Sequence, residues 1–164
     1  MIIKLTWSEF DCAVKDLSTL ISSHISDWTS YSIYGQPRGG LPLSVALSHT
    51  LNLPHGVWSE NTPAEIAGKK VLWIDDVIES GETLLDVVCL AKKQHCTFSP
   101  ICWVYKPGNV ELIGKSPFNE IYQTLLYLKL ASSEEWIVFP WENQTLKVIE
   151  EDCRAYAVGI GGSI

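Results

Sequence analysis

Asp75 and Asp76 close an apolar run, Val71 to Ile74 (VLWI), and the turn Glu79-Ser80-Gly81-Glu82-Thr83 follows three residues on. Ionised carboxylates only accept hydrogen bonds, and a vicinal diol offers two donors at matching separation. A ribose with free 2′ and 3′ hydroxyls satisfies such a pair, and one oxygen can also reach a bound Mg²⁺ through water. For two acids alone, the plain start of a loop is reason enough. The turn after them changes that balance. It leads straight into a helical pattern, so several unpaired N–H groups converge with the positive end of the helix dipole behind them. Gly81 permits close backbone approach, and the Ser80 and Thr83 hydroxyls add donors. This is the chemistry of a monophosphate cradle, against which stands ordinary capping of the helix by Ser80 or Thr83. No GxxxxGKS or GxxxxGKT occurs, so a P-loop is excluded.

Three further stretches carry chemistry. Pro37-Arg38-Gly39-Gly40 joins an earlier strand to a helix, and its glycines suit an anion-binding turn while Arg38 adds a forked donor for phosphate oxygens. Lys106 follows the apolar run Ile101 to Tyr105 (ICWVY) and precedes Pro107-Gly108. Trp136 to Glu142 (WIVFPWE) places two tryptophans and an acid in seven residues. Each has a plain reading beside the functional one: a turn, a solvated loop lysine, and core packing of aromatic rings.

The elements that must hold these residues alternate. Met1 to Leu5 is expected as a short edge strand. From Thr6, apolar residues recur at Phe10, Val14, Leu17, Ile21, Ile25 and Trp28, which predicts an amphipathic helix capped by Thr6 or Ser8. Tyr31 to Tyr34 is a strand candidate, and LPLSVALSHTL a second helix. VLWI and ICWVY are apolar without alternation, as in strands covered on both faces, with the helical pattern TLLDVVCLA, Thr83 to Ala91, between them. Ile121 to Leu130 (IYQTLLYLKL) and Trp136 to Trp141 are expected as strands or edges outside the central sheet. Strands alternating with helices imply an α/β fold with a mainly parallel, twisted sheet flanked by helices. In such sheets ligands bind beyond the carboxyl ends of the strands.

Composition narrows the partners. The 164 residues read as a single domain, 1–164, with a formal net charge of −7 and no long basic cluster, so a nucleic-acid backbone is not the expected partner. No apolar run is long enough to span a bilayer, and MIIKLTWSEF lacks the pattern of a signal peptide. Five cysteines, Cys12, Cys89, Cys96, Cys102 and Cys153, form no CxxC pair and fit a reducing, cytoplasmic setting.

A ribose-reading acid pair followed at once by a phosphate cradle is the order of ribose 5-phosphate recognition. VLWIDDVIESGET resembles the 5-phosphoribosyl-1-pyrophosphate (PRPP) motif of the type I phosphoribosyltransferases. The order of PRGG, Lys106 and WIVFPWE around it is similar to that of the bacterial xanthine–guanine branch. The resemblance runs from about Thr6 to Glu142. It implies a type I phosphoribosyltransferase fold and a Mg²⁺-dependent transfer of phosphoribosyl from PRPP to a 6-oxopurine (guanine, xanthine or hypoxanthine), giving a nucleoside 5′-monophosphate and pyrophosphate.

By that resemblance Ser80, Gly81, Glu82 and Thr83 hold the 5′-phosphate, Asp75 and Asp76 the ribose and metal water, and Arg38 and Gly39 the pyrophosphate across a cis Pro37–Arg38 bond. Lys106 donates to O6 of the base, Trp136 stacks on it, and backbone at Ile137 reads its exocyclic position. Glu142 joins Asp75 and Asp76 at Mg²⁺. Glu79 stands where the family usually has an aspartate near N7, a proton acceptor within the PRPP motif. Two departures are expected to matter: that extra methylene, and a reduced hood, because Pro54 to Lys70 alone occupies the place of a long mobile hairpin. The resemblance also implies a homodimer or homotetramer. A non-catalytic PRPP- or nucleotide-sensing regulator of the same fold is the alternative.

Overall fold

The computed structural model describes residues 1–107 and 124–142. Gly108, the first three residues of IYQTLLYLKL and Cys153 lie outside them. Strand β1 (Ile2–Lys4) leads into α1 (Trp7–His24), whose start is fixed by a capping box. The Thr6 side chain accepts from the Glu9 N–H at 3.2 Å, and the Glu9 carboxylate accepts from the Thr6 N–H at 2.8 Å. Thr6, not Ser8, is the cap. The helix ends at His24, so Ile25 and Trp28 extend the apolar stripe past it, Trp28 within a 3₁₀ turn.

Strand β2 (Ser32–Gly35) and helix α2 (Gly40–Leu51) follow. Helix α2 stops where Asn52 takes the left-handed conformation (φ 52°). Pro54 to Lys70, expected as a shortened hood, instead holds β3 (His55–Val57), a new outer strand beside β2, and the short helix α3 (Thr62–Ile66). Buried Thr62 pins this stretch, accepting from the Ser59 N–H at 2.7 Å. Strand β4 (Lys70–Ile78), helix α4 (Glu82–Lys93), β5 (Thr97–Tyr105), β6 (Leu126–Leu130) and β7 (Trp136–Val138) complete the described elements.

The central sheet has the order β3-β2-β4-β5-β6, every pair parallel, and β1 pairs with β7 in a separate two-stranded ribbon. Strand β6 is therefore part of the central sheet, a correction to its expected place outside it. Its pairing with β5 from Ile101↔Leu126 onward supplies the backbone partners that the sequence pattern does not reveal. Residues of β4 alternate between two cores. Leu72 and Ile74 pack with α1 and α2 through Leu17, Ile21, Leu43 and Leu47, while Val71 and Trp73 pack with α4 through Leu84, Val87 and Val88. All are buried. This two-sided burial explains the unbroken apolar run in VLWI.

Candidate active site

The carboxyl ends of β2 and β4 are uneven, and the site lies in the step between them. Strand β2 pairs with β4 only as far as Gly35↔Ile74, whereas β5 continues to Ile78↔Tyr105. Asp75 and Asp76 therefore do not end the strand, as expected, but lie within it, held on the β5 side and open on the β2 side. Asp75 Oδ1 accepts from the Asp76 N–H at 3.0 Å, and Asp76 Oδ1 accepts from the Val77 N–H at 2.9 Å. Burial, and then the Asp76 charge, push Asp75 up to about 9; burial also raises Asp76. A buried acid pair of this kind calls for a positive or hydrogen-donating ligand.

Beyond Ile78 the chain turns through Gly81, whose φ of 78° is left-handed and marks the N-cap of α4. No side chain caps this helix by the expected route, although Ser80 Oγ meets the Glu82 N–H at 3.4 Å. The turn and the first residues of α4 border a cleft of about 210 Å³, walled in part by Asp75, Glu79, Ser80, Gly81 and Thr83. Glu82 opens α4 but its side chain is not part of that wall.

Across the acids, a second lobe of about 700 Å³ is lined by Arg38, Gly39, Asp75, Asp76, Trp141 and Glu142 among others. The Pro37–Arg38 peptide is cis, as the resemblance implies. The loop is tied back to the strands: the Gln36 N–H donates to the Ile74 carbonyl at 2.8 Å, and the Gly40 N–H to the Gln36 carbonyl at 3.1 Å. Glycine is required here by space. A Cβ at Gly39 would lie 2.1 Å from Asp76 Oδ2, and one at Gly40 would lie 2.5 Å from the Ile74 carbonyl oxygen.

A third lobe of about 170 Å³ has Asp76, Glu79, Trp136, Ile137, Phe139 and Glu142 in its wall. Trp136 is 67% exposed and its ring is open to solvent, while Ile137 is buried. The ribbon positions both: β1 pairs Ile2↔Trp136 and Ile3↔Ile137. Glu142 accepts from the Phe139 N–H at 2.9 Å, which closes the WIVFPWE turn. Lys106 is not a loop lysine in solvent. It is 5% exposed, and its ammonium pairs with the Glu79 carboxylate.

Thus Asp75, Asp76, Ser80, Gly81, Thr83, Arg38, Gly39, Glu79, Trp136, Ile137 and Glu142 all border three adjacent lobes at this edge of the sheet, and Lys106 pairs with Glu79 in their wall. The lobes are neighbours: Asp75 and Thr83 border the first two, and Asp76 and Glu142 the last two. Among the described residues no three His, Cys, Asp or Glu side chains converge as a closed metal site, so Asp75, Asp76 and Glu142 share a lobe without forming one. Gln36, Phe139 and Trp141 are wall residues that the sequence did not single out. Trp141 stacks on Phe139 at 5.1 Å, and its buried Nε1 has no hydrogen-bond partner among the described residues. Its signal was its place inside WIVFPWE.

No protein-family model matches the sequence, and no curated protein does. Solved structures do match. A purine phosphoribosyltransferase from Pyrococcus horikoshii is 27% identical, over 88% of this chain and 96% of that one, with a TM-score of 0.64. Helicobacter pylori xanthine-guanine-hypoxanthine phosphoribosyltransferase superposes over 94% of this chain and 98% of its own at 19% identity and a TM-score of 0.68. A hypothetical protein from Neisseria gonorrhoeae, solved with bound ppGpp, gives 19% identity and a TM-score of 0.69 over 96% of this chain and 97% of that one. In fold the chain is similar to these purine phosphoribosyltransferases.

Proposed function

We propose that the protein transfers the 5-phosphoribosyl group of PRPP to a 6-oxopurine, displacing pyrophosphate and giving a nucleoside 5′-monophosphate. The observation that carries this is the succession of three adjacent lobes, a bare helix start, an acid-bordered middle and an aromatic-walled end. In this reading the N–H groups and hydroxyls of Ser80, Gly81, Glu82 and Thr83 take the 5′-phosphate. Asp75 and Asp76 accept from the ribose hydroxyls, and Arg38 with the Gly39 backbone takes the pyrophosphate. Lys106 donates to O6, the Trp136 ring covers the base, and backbone at Ile137 meets its exocyclic edge.

The hard carboxylate oxygens of Asp75, Asp76 and Glu142 suit Mg²⁺ held jointly with substrate oxygens. Bound there, Mg²⁺ would supply charge neutralisation of the leaving pyrophosphate, which an acidic protein needs. The remaining work is positional: the anomeric carbon inverts through an oxocarbenium-like state, and the lobes fix the base nitrogen in line with the leaving group. A cytoplasmic homo-oligomer is the setting this reading entails. Thiols at Cys12, Cys89, Cys96 and Cys102 stand free, in keeping with a reducing compartment.

The test is incubation of the protein with PRPP, Mg²⁺ and single nucleobases, with nucleotide and pyrophosphate measured. Formation of both from guanine, xanthine or hypoxanthine, and their loss on chelation, is the expected result. PRPP binding without product from any base would defeat it and leave the second reading, a nucleotide-sensing regulator. The ppGpp-bound Neisseria structure of similar fold favours that second reading. So does the use of Pro54 to Lys70 as a sheet edge and short helix rather than as a long hairpin.

A further inference from the structure

Strands β4 and β5 run parallel, with Ile78 opposite Tyr105. The next residue on each strand is therefore brought to the same point at the carboxyl edge of the sheet, and those residues are Glu79 and Lys106. The ladder continues one step further, because the Lys106 N–H donates to the Ile78 carbonyl at 2.8 Å. Burial within the pair is unequal. The Lys106 side chain is 6% exposed and that of Glu79 is 53% exposed. Glu79 thus covers a sunken ammonium, and it borders both the phosphate-side and base-side lobes.

Resting on the transferase reading, we infer that Glu79 is a positioning residue rather than the proton acceptor: its carboxylate is the counter-ion that holds the Lys106 ammonium aimed at the base. A buried ammonium without a paired anion is strongly disfavoured. Were Glu79 to take a proton from the base, it would strip Lys106 of that partner at the moment Lys106 is needed as a donor. As counter-ion it does the opposite. The exposed carboxylate shares the ammonium with an arriving O6, so the base meets a donor already oriented. The selected chemical class is a base that presents a carbonyl oxygen on this edge; an exocyclic amine would meet an ammonium that cannot accept from it.

The experiment uses the full chain and its Glu79→Gln, Glu79→Asp and Lys106→Ala variants, with base varied at saturating PRPP and Mg²⁺. The expected result for Glu79→Gln is a KM for hypoxanthine or guanine raised at least ~10-fold, with kcat changed less than ~3-fold and PRPP affinity unchanged. Glu79→Asp, with a shorter arm, is expected to show the same KM defect. Adding Glu79→Gln to Lys106→Ala is expected to bring little further loss, since the two act as a unit. A kcat reduced ~100-fold at unchanged base KM, with recovery in Glu79→Asp, would show proton transfer and overturn the inference. A second readout needs no turnover: the rate of Lys106 labelling by a small amine-reactive reagent, read by mass spectrometry. It is expected to change at least ~10-fold in Glu79→Gln, and equal rates in both proteins would also overturn the inference. If labelling changes while no base is converted, the pair stands and it is the transferase reading that fails.

Discussion

Replacing Gly39 by alanine separates the packing of the crevice from its chemistry. Gly39 sits at φ −62° and ψ −40°, so alanine meets no backbone obstacle. The obstacle is Asp76. A Cβ at Gly39 would lie 2.1, 2.5 and 2.6 Å from Asp76 Oδ2, Cγ and Oδ1, where ordinary contact begins at 3.4 Å. The carboxylate must therefore retreat by about 1.3 Å, a shift of the side chain's end rather than of the strand. Overpacking of this kind costs about 1–3 kcal/mol, part of it the strained bond from the Val77 N–H. For a chain of this size that lowers the midpoint of thermal unfolding by roughly 3–10 °C.

At Gly40 the nearest atoms are backbone, the Ile74 carbonyl oxygen at 2.5 Å and Asp75 Cα at 2.9 Å, so alanine there must move β4 itself and costs more. Circular-dichroism melts of both variants, with PRPP titrations by calorimetry, supply the assay. Gly39→Ala should melt moderately lower and bind PRPP at least ~10-fold more weakly, because a displaced Asp76 no longer meets the ribose. The double variant Gly39→Ala/Asp76→Ala should recover much of the stability loss, a coupling of about 1 kcal/mol or more. A Gly40→Ala protein as stable as Gly39→Ala, or additivity in the cycle, would refute the steric reasoning. Unchanged PRPP affinity in Gly39→Ala would remove Asp76 from the ligand site.

Further perturbations test other parts of the molecule. Asp75, raised from 3.8 to about 9, stays protonated in the folded state where the unfolded chain has lost that proton, so stability falls as pH rises through this window. Asp75→Asn removes that dependence, and denaturant titrations should show it more stable than the parent by about 1–3 kcal/mol at pH 8 and equal to it near pH 4; parallel pH profiles would contradict this. Lys106→Ala should lower kcat/KM for the base by roughly 10–100-fold while PRPP binds as before, and equal losses in both would show its role misassigned. Thr6→Ala breaks the capping box of α1, and should lower the melting midpoint by about 2–4 °C with no effect on PRPP affinity.

The parts of the fold that were legible are those where local pattern and structure coincide. Phe10, Val14, Leu17 and Ile21 lie one helical turn apart and are buried together, and VLWI is apolar because both faces of β4 are covered. The turn into α4 was readable because Glu79 to Thr83 are consecutive. What escaped depends on neighbours distant in sequence. The continuation of β4 through Asp75 and Asp76 requires β5 as a partner, and two carboxylates give no local sign of it. Strand β3 is three residues long, too short for a period. The meeting of Glu79 with Lys106 follows from strand register, which no spacing of 27 residues discloses.

The ribbon of β1 and β7 sets an order on how the crevice can be assembled. The end proposed to hold the phosphate is made from one continuous stretch, β4, the Gly81 turn and α4, so its parts find one another over short loops. The end proposed to hold the base is made when the start of the chain meets Trp136, whose N–H donates to the Met1 carbonyl at 2.8 Å. Contacts of such separation close late, since the loop entropy must be overcome before they contribute. During refolding the protein should therefore regain its hold on a phosphate before it regains its discrimination among bases. Chain-order alone makes the least local wall of the site the last to be built and the first to open.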